Sequence, residues 1–377
     1  MSYAIGFMAM FVMKSTDRMN QEPPTGTAYV FESVGKPLQK HVHLLPDLNA
    51  GEVLVAVEMT TICTSDLLTL SGKRNEPSPL ILGHECVGRI TAVHDHGVFD
   101  MQGNALEIGD RVSWSVFSAS ADSIHSAQGM RQKSPDVVKY GHRRLSESHY
   151  FSGGMATHCH LLANTCIMKV SAKIPLASIC PVNCSLATVI GGLRLAGDLA
   201  GRRILVIGGG MLGIYACAVA HTRGARQVVV VEPQAERRAT CLHFGADRCY
   251  SPEHSLDDLP GRFDISLDTS GNLEAMQMGL NALDIGGTSV WLGAVYPQPS
   301  LPVDTEMVVR RLLTIKGLHN YNEKDFKMAI DFITQNYYRY PFEELVEKIF
   351  PLEAVEEAIS FAKQQKPFRI ALQPGSA

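Results

Sequence analysis

"RRILVIGGGMLGIYACAVAHTRGARQVVVVEP", residues 202–233, carries the clearest fold signal in the chain. Ile204, Leu205, Val206 and Ile207 form an apolar run with no polar alternation, and Val228, Val229, Val230 and Val231 form a second. A strand that is apolar on both faces belongs in a parallel sheet covered on both sides. Three glycines and an Ala-rich segment of helical composition separate the two runs, so the stretch predicts a strand–helix–strand unit. The rhythm continues downstream with "QAERRATCLHFGA", "FDISLDTSG", "NLEAMQMGLNAL" and "GGTSVWLGAV". Residues 181–324 are therefore expected to form a doubly wound α/β domain around a parallel sheet.

Gly208, Gly210 and Gly213 make a GxGxxG pattern between the first strand and its helix, with Met211 and Leu212 inside it. Glycines at these points allow a tight turn and let a pyrophosphate approach the helix N-terminus. Glu232 lies nineteen residues after Gly213, at the end of the second strand. An acid there accepts hydrogen bonds from an adenosine ribose and repels a 2′-phosphate, which favours NAD over NADP. Arg237 is a counter-signal that serves a ribose hydroxyl equally well.

Residues 51 to about 163 read differently. Short alternating runs such as "GEVLVAVEM", "GHECVGRITAV", "GDRVSWSV" and "GGMATHCHLL" are separated by glycine-rich turns, the pattern of a twisted antiparallel barrel. Two helical segments follow residue 322, then a last strand, "FRIAL". The tail is expected to return to the barrel, which makes that domain discontinuous, 25–180 and 325–377. Residues 1–24 read as a disordered extension. Their apolar run has neither the basic start nor the cleavage site of a secretory signal and is too short for a bilayer.

A net charge of −4 and pI of about 6.4 leave no basic footprint for nucleic acid. Nine scattered cysteines, an odd number, suit reduced thiols and a cytoplasmic setting, and no membrane partner is expected.

"CTSD" at residues 63–66, "GHE" at 83–85 and "PVNCSLAT" at 181–188 supply Cys63, His84 and Cys184. Two thiolates and an imidazole form the three-ligand set of a catalytic zinc with one open position. Taken singly, each is as well a buried thiol or a core histidine.

The ordered combination "GHECVGRI", "GDRV", "GGMATHC" and the nucleotide fingerprint resembles the zinc-dependent medium-chain dehydrogenase/reductase family. The resemblance covers nearly all of the chain after residue 50. It implies a GroES-like β-barrel catalytic domain and a Rossmann cofactor domain with the active site between them, commonly in a homodimer or homotetramer. It implies Cys63, His84 and Cys184 as zinc ligands, with Glu85 a transient ligand and Asp66 an orienter of His84. It also implies Ser65 as acceptor of the substrate's proton, Thr188 beside the nicotinamide, and Arg369 near the cofactor phosphates. The chain departs from the pattern at Leu68, often a relay histidine, and at Thr64, an arginine in some members. Within the family, "WSV", "KYGH", "RLAGDLAGRRILVIGGGMLG" and "GLHNY" resemble the phosphonate-catabolism-associated alcohol dehydrogenases.

The family's structural zinc lobe carries four cysteines at spacing x2, x2, x7. Here those places hold Ser120, Ser123, Ser126 and Ser134. A serine hydroxyl stays protonated near neutral pH and cannot replace a thiolate, so one zinc per chain is expected. Lys139, His142, Arg143 and Arg144 form a basic cluster that either is solvated or attracts an anionic alcohol. These readings lead to a zinc-dependent alcohol dehydrogenase using NAD on a small-molecule substrate, for which the subgroup resemblance implies a hydroxyalkyl phosphonate or other anionic alcohol. The rivals are a zinc-free reductase of double bonds or quinones, and a non-catalytic dinucleotide-binding protein.

Overall fold

The computed structural model describes residues 23–95, 97–253 and 262–375. The extension at 1–24 lies outside the described residues except for Pro23 and Pro24. Six strands form the parallel sheet, in the order Arg248–Tyr250, Gln227–Val231, Arg203–Ile207, Phe263–Asp268, Leu283–Trp291, Thr314–Gly317. This is the doubly wound order, and it reverses direction between Arg203–Ile207 and Phe263–Asp268, where ligands bind in such sheets. The apolar runs are explained by covering on both faces. Ile204, Val206, Val228 and Val230 enter one core cluster, whereas Leu205, Ile207, Val229 and Val231 enter another. Helix Met211–Thr222 is buried nearly all round because it lies between the sheet and helix Ser185–Ala196.

The other domain is a mostly antiparallel eight-stranded sheet. Val53–Thr61 pairs with Glu85–Val93, which pairs with Arg111–Ser118. His158–Leu161 and Thr165–Lys169 close on either side. The last strand, Arg369–Gln373, joins the far edge of Val53–Thr61 through Ala371 opposite Thr61 and Leu372 opposite Thr60. That pairing carries Arg369 from the C-terminal end of the chain to the start of the "CTSD" helix. Residue 181 lies in the 3-10 turn Cys180–Asn183, and residue 325 in helix Glu323–Asn336. That helix packs on Ser185–Ala196, where Arg194 and Asp325 pair at 2.6 Å.

The serine lobe is a folded element. Ser123 Oγ and Ser134 Oγ lie 2.6 Å apart, Ser126 Oγ lies 3.0 Å from Ser134 Oγ, and Ser126 Oγ donates to the Ser120 carbonyl at 2.9 Å. Hydroxyl hydrogen bonds, each worth about 1 kcal/mol net, link the four positions. No single helix among the described residues is long and apolar enough to cross a membrane.

Candidate active site

Cys63 follows strand Val53–Thr61 and caps helix Thr64–Leu70. Its backbone N–H donates to Asp66 Oδ2 at 2.8 Å, which closes the first turn. The other oxygen of the same carboxylate lies 3.4 Å from His84 Nδ1. His84 stands just after Gly83, whose φ is +90°; a side chain at 83 would also meet the Met155 backbone nitrogen at 2.9 Å. Cys184 is set by its neighbour Asn183, whose amide donates to the carbonyls of His84 at 3.0 Å and Trp114 at 2.8 Å. The Tyr321 hydroxyl braces the same corner, donating to the Asn183 carbonyl and accepting from Val116 N.

One ligand atom each from Cys63, His84, Glu85 and Cys184 lie within 4.8 Å of one another. Their ionisation suits a cation. The hydrogen bond from Cys184 holds the Cys63 thiol well below its usual range, helped by Arg369 and His84. That same hydrogen bond and burial push Cys184 well up. Burial draws His84 down, but Asp66 and Cys63 outweigh it and leave the imidazole well above its usual value. Cys184 and His84 thus retain protons between them, and a divalent cation binds such a group by displacing protons. The donor set fits zinc.

Arg369 stands beside these residues. Its guanidinium makes two bonds to Glu85, at 2.6 and 2.7 Å, one to Ser185 Oγ at 2.8 Å and one to Cys63 Sγ at 3.4 Å. The remaining nitrogen, Nη1, donates to the Phe368 carbonyl. Arg369 also lines the cleft, and with one N–H of Nη1 beyond those bonds it keeps a donor for the phosphate contact that the resemblance implies. Buried Glu85 also accepts from Thr61 and Ser185, and burial pushes its carboxyl up against the pull of Arg369.

A cleft of about 780 Å³ runs from these residues to the sheet's switch point. Cys63, Ser65, His84, Cys184 and Thr188 line one end; Gly208, Gly210, Met211, Leu212, Glu232 and Arg237 line the other. Ser65 Oγ is 3.4 Å from His84 Nε2, and Thr188 Oγ1 donates to the Cys184 carbonyl at 2.7 Å. Gly213 lies beneath the turn, where a Cβ would meet the Gly208 carbonyl oxygen at 1.9 Å. Buried Glu232 is preset by backbone N–H bonds from Gly209 at 2.7 Å and Gln234 at 2.9 Å. Arg237 lies over the Phe368 ring at 5.3 Å and donates to the Lys366 carbonyl.

The basic cluster divides. Lys139 and His142 line the cleft, whereas Arg143 turns toward His149 at 3.5 Å and Arg144 is exposed. The cause is Gly141, with φ +75°, packed so closely on Gly83 that a Cβ would lie 2.8 Å from its carbonyl oxygen. The chain turns there and leads the two arginines away. Arg74 and His319, given no role from sequence, also line the cleft. His319 lies within "GLHNY" and Arg74 in no quoted motif; only the fold brings them together.

A model of the alcohol dehydrogenase GroES-like domain matches residues 49–176, and one of zinc-binding dehydrogenase matches 212–335. L-threonine 3-dehydrogenase of Streptomyces avermitilis is 29% identical over 287 residues, 73% of this chain and 78% of its own length. An alcohol dehydrogenase of Geobacillus stearothermophilus is 27% identical over 330 residues, 85% and 90% of the two chains. The structure of an alcohol dehydrogenase from Thermotoga maritima matches with a TM-score of 0.88 at 25% identity, covering 93% of this chain and 100% of the other. With both domains matched and a zinc-type ligand set between them, the chain belongs to the zinc-dependent medium-chain dehydrogenase family.

Proposed function

We propose that the protein is an alcohol dehydrogenase with one catalytic zinc, that it uses NAD, and that its alcohol carries an anionic group such as a phosphonate. The observation that carries this reading is the convergence of Cys63, His84 and Cys184 with Ser65 at one end of a cleft whose other end holds Glu232. Bound zinc supplies Lewis acidity toward the alcohol oxygen, and bound NAD supplies the hydride acceptor. Cys63, His84 and Cys184 would hold the metal, and Asp66 would keep the His84 ring oriented.

Ser65 takes the proton of the alcohol. Its hydroxyl lies in the cleft, within reach of the ligand shell. Leu68 offers no onward acceptor, so Ser65 would pass the proton on along the cleft it lines. The Thr188 hydroxyl is engaged by the Cys184 carbonyl, so this residue orients the nicotinamide and does not react. The wall at 292–295 contributes Leu292, Gly293 and Val295 to the same pocket.

NADH formation from a panel of alcohols, read together with zinc content, tests the reading as a whole. Glu232 tests the cofactor. Its carboxylate is fixed at the strand end, and a 2′-phosphate beside it meets like charge in a partly buried site. The expected kcat/KM ratio of NAD to NADP is about 100 or more, since opposed like charges cost several kcal/mol. Glu232→Ser should lower that ratio at least about tenfold. Equal use of both cofactors by the wild type would remove the role given to this acid.

A further inference from the structure

We propose that the cleft contains a subsite for a small tetrahedral dianion, the phosphonate or phosphate-ester end of an alcohol, formed by Lys139, Arg74 and His319 with Lys133 behind His319. It rests on the alcohol dehydrogenase reading and names the group that the substrate carries.

Lys139 belongs to the short strand Val138–Lys139 and lines the cleft half-buried, its ammonium without a hydrogen bond or ion pair among the described residues. Burial lowers its pKa, the positive charges of Lys133 and Arg74 lower it further, and only Glu76 opposes them. A partly desolvated cation without a partner is unfavourable until an anion joins it. Arg74 reaches the same end of the cleft and pairs with Glu76 at 2.6 Å. Lys133 Nζ lies 2.9 Å from His319 Nδ1. Burial and then the three cations bring the His319 pKa to about 3. The ring is neutral at working pH; with Nδ1 accepting from Lys133, Nε2 carries the proton and is a donor. Of these groups Arg74 alone pairs with Glu76, which also acts on Lys139 and does not itself line the cleft.

The cofactor does not account for these charges. Its pyrophosphate belongs at the N-terminus of helix Met211–Thr222, and the carboxylates that line the cleft, Glu232 and Glu274, lie on the dinucleotide domain. The basic group is tied instead to the metal end. The His142 ring stands 4.9 Å from that of His84, its Nδ1 lies 3.5 Å from Glu76, and Glu76 holds Arg74. One imidazole therefore separates a metal ligand from the cations, room for a short carbon chain between hydroxyl and oxyanion. The paired Arg and Lys suit a group with several acceptor oxygens and two negative charges.

The test compares 2-hydroxyethylphosphonate, 2-hydroxyethyl phosphate and propan-1-ol as substrates of the zinc-loaded enzyme. In Lys139→Ala the ratio of kcat/KM for each dianionic alcohol to that for propan-1-ol should fall about 10- to 100-fold, mainly through KM, as for loss of one charge-assisted bond. Lys139→Arg should restore most of it, which separates the lost charge from a damaged fold. The two dianions distinguish a phosphonate from a phosphate-ester substrate, and a fall for either supports the subsite. An unchanged ratio for both overturns it. Calorimetric titration of methylphosphonate into the NADH complex is the second measurement, with weaker binding expected in Lys139→Ala. If the wild type oxidises none of the alcohols, the dehydrogenase reading fails, and this titration still decides the subsite. Equal binding by wild type and variant overturns it.

Discussion

Replacing Cys63 by Ala should remove the metal and lower kcat/KM for alcohol oxidation by at least about a thousandfold, because a two-ligand site no longer holds zinc against solvent. NADH binding should persist, since Gly208, Gly210 and Glu232 stand on the other domain. Elemental analysis of the wild type should find about one zinc per chain, the number set by a single three-ligand site. The lobe that takes a second ion in related chains here carries serine hydroxyls bonded to one another at 2.6 and 3.0 Å, with no proton to release at neutral pH. Two zincs per chain would show that the lobe has recruited other ligands, His125 being the nearest in sequence. A Cys63→Ala protein that kept both its zinc and its activity would end the assignment of the site.

The second large effect concerns Arg369. Its guanidinium is the cationic partner of the buried Glu85 carboxylate, which makes no other ion pair among the described residues. Arg369→Met should destabilise the protein by about 3–5 kcal/mol, the usual loss when one partner of a buried pair is removed. Denaturant unfolding of the variant measures this. Adding Glu85→Gln should recover most of the loss, because the uncompensated charge goes with it. Burial already pushes the Glu85 carboxyl up. A carboxyl raised in the folded state stabilises below its unfolded pKa and loses that contribution as pH rises. The deficit of Arg369→Met should therefore be smaller near about pH 5 and larger near about pH 8. A deficit independent of pH and of residue 85 would mean that Arg369 acts through packing alone.

The parallel sheet was legible in residues 202–233 because its signals are local. Unbroken apolar runs follow from cover on both faces, and the glycine spacing follows from a turn in which Gly213 approaches Gly208 to within a carbonyl's reach. The chemical types of the ligands were legible too, since a thiol or an imidazole declares what it can bind wherever it stands. The basic run was misleading for an equally local reason: adjacency in sequence does not survive a tight turn. At Gly141 the chain reverses, so Lys139 and His142 face the cleft while Arg143 and Arg144 leave it.

Contacts between distant segments needed the folded chain. Arg369 carries no motif that ties it to Glu85; pairing of strand Arg369–Gln373 with Val53–Thr61 brings the two together. Arg74, the Lys133–Lys139 stretch and His319 come from three separate segments of the chain. The sequence by itself determined the backbone's periodicities, its turns and the inventory of ligands and charges, because steric preference and side-chain chemistry act over a few residues. Only the tertiary structure decided which charges meet, because strand pairing and domain packing, not neighbouring residues, set those distances.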